Sequence, residues 1–201
     1  MSSTRCVTVY CSSSPAVPRP YFDAAWELGS AIAKQKWSLV YGGNFLGLMA
    51  AVAQGARDAG GKVIGITPQL LVDKGYADPH CDELIVTSGM RERKALMEQR
   101  GDAFVALPGG LGTFEEIFEI IAGKSLHYHA KPIVLLNIAD YYRPLLAMID
   151  HGIEQQFIKP KARDLYFVAA SVPEAIAYLR AYTPPSPSPE RPDDIPPSAA
   201  E

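Results

Sequence analysis

The stretch Ala103-Phe104-Val105-Ala106-Leu107-Pro108-Gly109-Gly110-Leu111-Gly112-Thr113-Phe114-Glu115-Glu116 decides how the chain is read. A short apolar run ends in three glycines within four positions and passes directly into a helical pattern over Phe114–Leu126. The run is continuous rather than alternating, which suits a parallel strand covered on both faces. Similar runs occur at Val7–Cys11, Leu39–Tyr41, Val63–Ile66, Leu84–Val86, Ile133–Leu136 and Tyr166–Ala169. Between them lie helical patterns at Tyr21–Gln35, Leu46–Ala59, Met90–Arg100, Tyr142–Gln155 and Pro173–Tyr182, and Gly60-Gly61 supplies a C-terminal stop for the second helix. Strand and helix in alternation, with right-handed crossovers, predict an α/β Rossmann-like domain: a doubly wound parallel sheet of about seven strands.

The 201 residues suit one such domain, here spanning 1–182. From Thr183 the composition changes: seven prolines and almost no large apolar residue follow, so 183–201 is expected to be a disordered Pro-rich tail. The alternative for this tail is a PxxP ligand. Of the 22 acidic and 19 basic residues, the tail takes four acidic and one basic, which leaves the body neutral. A neutral body argues against nucleic acid or an anionic membrane as a partner. No stretch approaches the roughly 20 apolar residues that span a bilayer, and no signal-like apolar core precedes the first strand. Cys6 and Cys11 fall on opposite sides of one extended run, and the spacing of the three cysteines suits no zinc site, so they read as reduced thiols of a cytoplasmic protein.

In an open parallel sheet ligands sit beyond the carboxyl ends of the strands, which directs attention to the strand-to-helix turns. At Pro108–Thr113 the glycines let backbone N–H groups approach an anion where a helix dipole favours one, and Thr113 adds a hydroxyl. The loop lacks the Lys of a P-loop and the spacing of GxGxxG, so a phosphate monoester fits better than a triphosphate or dinucleotide. The plainer alternative is a capping box between Thr113 and Glu116. A second glycine turn, Tyr41-Gly42-Gly43-Asn44-Phe45-Leu46-Gly47-Leu48-Met49, serves packing or a ligand with equal weight on sequence alone. The third element is Met90-Arg91-Glu92-Arg93-Lys94. Basic residues at a helix start oppose the dipole, so they point to an anionic ligand or to a solvated face balanced by Glu92 and Glu98. His127 and His129 have no third ligand nearby in sequence, and no metal is expected.

Met90–Lys94 and Pro108–Glu116, in that order, resemble the Lonely Guy (LOG) family of cytokinin riboside 5′-monophosphate phosphoribohydrolases. The resemblance runs from about residue 5 to residue 180 and takes in Val7–Ser14, Tyr41–Met49, Val63–Pro68, Lys131–Asn137 and Asp140-Tyr141-Tyr142. It implies hydrolysis of the N-glycosidic bond of a nucleoside 5′-monophosphate to free base and ribose 5-phosphate, with no cofactor, in a homodimer whose site lies near the subunit interface. By the same resemblance Arg93 and Glu116 are the catalytic pair. Met90, Lys94, Gly43, Glu115 and the loop Gly109, Gly110, Leu111, Gly112 and Thr113 bind substrate. Family members often carry a lysine decarboxylase label, but that pyridoxal-phosphate chemistry needs a Schiff-base Lys and a partner for the pyridine nitrogen, an arrangement absent from these motifs.

The chain departs from the family's common pattern at Ser12-Ser13-Ser14, at Asn44, at Gly75 in place of a substrate-binding Glu, and across Ala122–His129. None of these touches Arg93 or the phosphate loop, so the reaction class is retained. The base is left open between prenylated adenine, adenine and a pyrimidine. The alternatives to hydrolysis are a nucleotide or molybdenum-cofactor carrier, which has no need of an Arg93–Glu116 pair, and a regulatory nucleotide sensor that acts through a partner and is served by the tail.

Overall fold

A computed structural model describes residues 4–185. Most of the expected tail, from residue 186 onward, lies outside the described residues. Seven strands, β1 (Cys6–Tyr10), β2 (Ser38–Tyr41), β3 (Val63–Pro68), β4 (Glu83–Thr87), β5 (Ala103–Ala106), β6 (Ile133–Leu136) and β7 (Phe167–Ala169), form one sheet. Its order is β4-β3-β2-β1-β5-β6-β7 and every neighbouring pair is parallel. The helices are α1 (Arg19–Lys34), α2 (Gly47–Asp58), α3 (Gln69–Asp73), α4 (Met90–Arg100), α5 (Leu111–Ser125), α6 (Arg143–Glu154) and α7 (Val172–Ala181).

The alternation along β1 separates two cores. Val7 and Val9 face Leu28 and Ile32 of α1, Val52 of α2 and Leu179 of α7; Tyr10 faces Met97 of α4 and Ile117 of α5. Both faces of the central strands are therefore covered, as a doubly wound sheet requires. Truncating a core side chain such as Leu28 to Ala costs about 2–5 kcal/mol. Gly29 of α1 lies against the Val52 carbonyl and Gly55 of α2 against the Trp26 carbonyl, so these two helices touch backbone to backbone. Gly60, at φ +72°, ends α2 as its glycine pair predicts, with its N–H donating to the Arg57 carbonyl at 2.9 Å. Cys11 lies in one core and Cys6 packs against the other, on opposite sides as expected.

Three expectations need correction. The Leu84–Val86 run lies in β4, an edge strand, and it is not covered on both faces: Leu84 and Val86 are exposed while Ile85 packs inward. Helix α5 begins at Leu111 rather than Phe114, because the glycine turn itself supplies the first helical turn. The short α3 and the 3-10 turns Ile138–Asp140 and Pro160–Leu165 have no counterpart in the periodic pattern, being shorter than the windows in which a period can be recognised.

The chain runs outward from β1 to β4 on one side and then returns to β5 on the other side of β1. Past the carboxyl ends of β1 and β5 the following segments diverge, which opens the crevice where such folds bind ligands.

Candidate active site

A cavity of about 360 Å³ occupies that crevice. Its floor and walls come from the segment after β1 (Cys11, Ser12, Ser13 and Ser14), the turn after β2 (Gly42, Asn44 and, on α2, Met49), Leu71 of α3, Met90 and Arg93 of α4, and Gly110, Gly112, Thr113 and Glu116 of α5.

Helix α5 is capped by Gly110 without any side-chain hydrogen bond. A helix leaves its first N–H groups without partners inside itself, here those of Leu111, Gly112 and Thr113. A Cβ on Gly110 or Gly112 would meet nothing within 4 Å, so these glycines border open space. Tyrosines after β6 hold the turn from below: Tyr142 donates its hydroxyl to the Leu107 carbonyl at 2.7 Å, and Tyr141 donates to the Gly109 carbonyl. The segment after β1 is tied to both walls, since Ser12 N–H donates to the Pro108 carbonyl at 3.4 Å and the Ser12 carbonyl accepts from Leu48 N–H at 2.9 Å.

Arg93 and Glu116 meet inside the cavity wall. Arg93 Nη1 lies 2.6 Å from Glu116 Oε1, and the side chains are only 4% and 6% exposed. Arg93 Nε donates to the Ile66 carbonyl at 3.0 Å, and a Cβ on Gly42 would run into its Nη2. The guanidinium is thus held on three sides by β3, the turn after β2 and α5. Burial raises the Glu116 carboxyl above the usual glutamate range, and the Arg93 charge and hydrogen bond oppose that rise. The solvated-face reading of Arg93 fails on this burial. No capping box forms either: Thr113 and Glu116 are both inside the helix and Glu116 is engaged by Arg93.

The other expected site residues divide. Met90 lines the cavity and is 50% exposed, while Gly109 lines an adjoining cavity of about 260 Å³ with Tyr21 and Tyr141. Gly43 stands behind the wall at φ +65°, pressed on Ile66 and Thr67. Leu111 points outward and is 85% exposed. Lys94 is not brought into the cavity: it bridges Glu115 and Glu119 on α5, the latter at 3.0 Å. That pairing also keeps Glu115 out. The expected site residues did not include Cys11, Ser12, Ser13, Ser14, Gly42, Asn44, Met49 or Leu71, all of which line the cavity. All but Leu71 were legible as segments following strands at the expected crevice, and Gly42, Asn44 and Met49 as part of the second glycine turn; Leu71 was not, because α3 was not.

A family model described as "Possible lysine decarboxylase" matches residues 49–179. The chain is 46% identical over 183 residues to a probable cytokinin riboside 5′-monophosphate phosphoribohydrolase of Oryza sativa subsp. japonica, covering 91% of this chain and 81% of that one. It is 45% identical over 176 residues to a cytokinin riboside 5′-monophosphate phosphoribohydrolase of Rhodococcoides fascians, covering 87% of this chain and 89% of that one. Among solved structures it resembles the molybdenum cofactor carrier protein of Chlamydomonas reinhardtii, with a TM-score of 0.67 and 28% identity over 89% of this chain and 97% of that one. By family model and by identity over most of its length, the chain belongs to the Lonely Guy (LOG) family, that of the cytokinin riboside 5′-monophosphate phosphoribohydrolases.

Proposed function

We propose that the protein hydrolyses the N-glycosidic bond of a cytokinin or purine nucleoside 5′-monophosphate, releasing free base and ribose 5-phosphate. One observation carries the reading: a buried Arg93–Glu116 pair shares a cavity with an open, glycine-lined helix start. The N–H groups of Leu111, Gly112 and Thr113, with the Thr113 hydroxyl, bind the 5′-phosphate. Anchored there, the substrate brings its ribose to Glu116 one turn further along α5. As the bond to the base lengthens, positive charge develops on the ribose, and the Glu116 carboxylate stabilises it. Water adds to the anomeric carbon and gives up one proton to solvent; the base leaves with the bonding pair and takes up a proton from solvent, so the step balances as nucleotide plus water to base plus ribose 5-phosphate. Arg93 holds Glu116 ionised and in place, and because a guanidinium does not give up its proton it acts as a hydrogen-bond donor rather than an acid. The phosphate supplies positioning energy remote from the bond that breaks.

The homodimer and the cytoplasmic setting belong to this proposal. The exposure of Met90, which lines the cavity, and of Leu111 beside its glycine turn supports a second copy covering them. Reading the three cysteines as reduced thiols supports a reducing compartment. Lys94 and Glu115 act on substrate, in this reading, only at the edge of the site. Among the described residues the cavity wall contains no lysine, which favours hydrolysis over Schiff-base chemistry. The fold shared with a molybdenum cofactor carrier keeps a carrier role as the second reading. The test is to incubate the purified protein with AMP, isopentenyladenosine monophosphate, CMP and GMP and to follow base and ribose 5-phosphate by chromatography. Release identifies the reaction and ranks the bases; retained nucleotide binding with no release from any of the four favours the carrier.

A further inference from the structure

Beside the cavity lies a second buried charge that the proposed chemistry does not use. Asp78, in the connection between α3 and β4, is 1% exposed. Its Oδ2 accepts from the Tyr41 hydroxyl at 2.6 Å and from Arg57 Nη1 at 2.9 Å, and its Oδ1 accepts from His80 N–H at 2.9 Å. Burial alone would raise the carboxyl, but these three donors hold it below the usual aspartate range. Taking a carboxylate out of water is costly, so the cluster calls for a structural or functional return.

The return is visible in the backbone. Asp78 N–H donates to the Gly43 carbonyl at 2.8 Å, Phe45 N–H donates to the Tyr76 carbonyl at 3.3 Å, and Asn44 pairs with Ala77 in an antiparallel bridge. Tyr41, which grips the Asp78 carboxylate, is the last residue of β2 and immediately precedes Gly42. The segment 76–78 is thus a strap across the turn Gly42–Phe45, and Asp78 fastens it at both side chain and backbone. On the far side of that turn Gly42 abuts Arg93 Nη2.

We propose that Asp78 is a positioning residue for glycosidic hydrolysis: with Tyr41 and Arg57 it clamps the Gly42–Asn44 wall that keeps the Arg93 guanidinium turned onto Glu116. The proposal rests on the hydrolase reading above. If the clamp loosens, the wall recedes, Arg93 gains a direction to swing, and Glu116 loses part of the charge that keeps it ionised. The phosphate turn on α5, held by Tyr141 and Tyr142, is left alone.

The experiment compares the full chain with Asp78→Asn, which keeps the shape and removes the charge, and with Tyr41→Phe, which deletes the hydroxyl's hydrogen bond to Asp78 together with its contact to Cys81 Sγ at 3.4 Å. Each is measured on the best nucleotide of the panel, at a temperature where circular dichroism finds it fully folded. The expected result is a kcat lower by about tenfold or more, the scale on which small misplacements act, with ribose 5-phosphate affinity unchanged. The acidic limb of the pH profile should also move upward, since a displaced Arg93 no longer offsets the burial of Glu116. A purely structural role would lower Tm without moving the limb. If Asp78→Asn does not fold, Tyr41→Phe carries the same expectations. Folded variants with unaltered kcat and limb overturn the role of Asp78 alone, whereas a parent inactive on every nucleotide overturns the hydrolase reading and this role with it.

Discussion

At the turn after β5, a methyl group added to Gly110 or Gly112 would meet only open space. At the turn after β2, one added to Gly42 would strike Arg93, and one added to Gly47 would lie 2.7 Å from the carbonyl oxygens of Ser13 and Ser14. The two turns look alike in sequence, each following a buried strand and opening a helix. Their glycines answer different needs. After β5 Gly110 and Gly112 clear the approach to unpaired N–H groups while Gly109 closes on Thr113; after β2 glycine lets the backbone close on its neighbours, and at Gly43 and Gly47 it also meets φ values of +65° and +59°. A glycine-rich turn therefore reports close approach to something, and the surroundings tell whether that is a ligand or the protein itself. Here the packed turn bears on the proposed chemistry, since what it packs against is Arg93.

Substitutions can break this contrast. The largest effect is expected for Glu116→Gln, which should lower turnover by a factor of about 10³, and Arg93→Ala, by about 10² or more, both with ribose 5-phosphate binding retained. Near-normal turnover in either variant would remove the pair from the mechanism, whereas a Glu116→Gln variant that binds but no longer turns over would exclude the carrier reading. Next come the turns themselves. Gly42→Ala should lower kcat by about tenfold at unchanged ribose 5-phosphate affinity, because the new methyl displaces Arg93, whereas Gly112→Ala should mainly raise KM by crowding the phosphate. If both variants changed the same parameter, the two turns would have the same role. Gly43→Ala should act on stability instead, costing about 1–2 kcal/mol at its positive φ and reading out as a lower Tm.

pH offers a finer separation. With Glu116 raised by burial, kcat/KM should fall on the acid side at a pH above the usual glutamate range. An acid limb at or below that range would mean that some other group is titrating. Asp78 has the opposite sign. Its folded carboxyl is depressed, so its contribution to stability is present above the unfolded value near about 3.9 and is lost as pH falls through the lower folded value. Asp78→Asn should flatten the stability curve in that acid window, which urea titrations at a series of pH values would detect. This is the smallest of the expected effects.

Much of this was legible in one dimension. Seven apolar runs and their intervening helical patterns gave the strands to within about two residues at either end, because buried parallel strands are continuous in their apolarity and need no partner to be recognised. The glycine turn after β5 and the basic start of α4 stood out for a similar reason: each breaks a local rule, glycine where a helix begins and cations where the dipole is positive. The edge position of β4 was not legible, since an exposed Val86 and a buried Val134 carry the same side chain. The direction of Lys94 was not legible either, because adjacent residues on a helix diverge, and only the placement of α5 sends Arg93 inward and Lys94 onto Glu115.

The sequence by itself determined the class of fold, the two motifs and, through their order and spacing, the family. The tertiary structure decided which residues meet. Arg93 and Glu116 lie 23 positions apart on different helices, and their contact exists because β5 returns to the far side of β1 and brings α5 against α4. The Asp78 clamp likewise joins β2, α2 and the connection before β4, elements whose neighbourhood is set by the order of strands in the sheet. Local pattern fixes what each segment can become, because periodicity and backbone preference act over a few residues. Burial of charge and the fit of a wall against a guanidinium depend on groups far apart in the chain, and only packing brings them within reach.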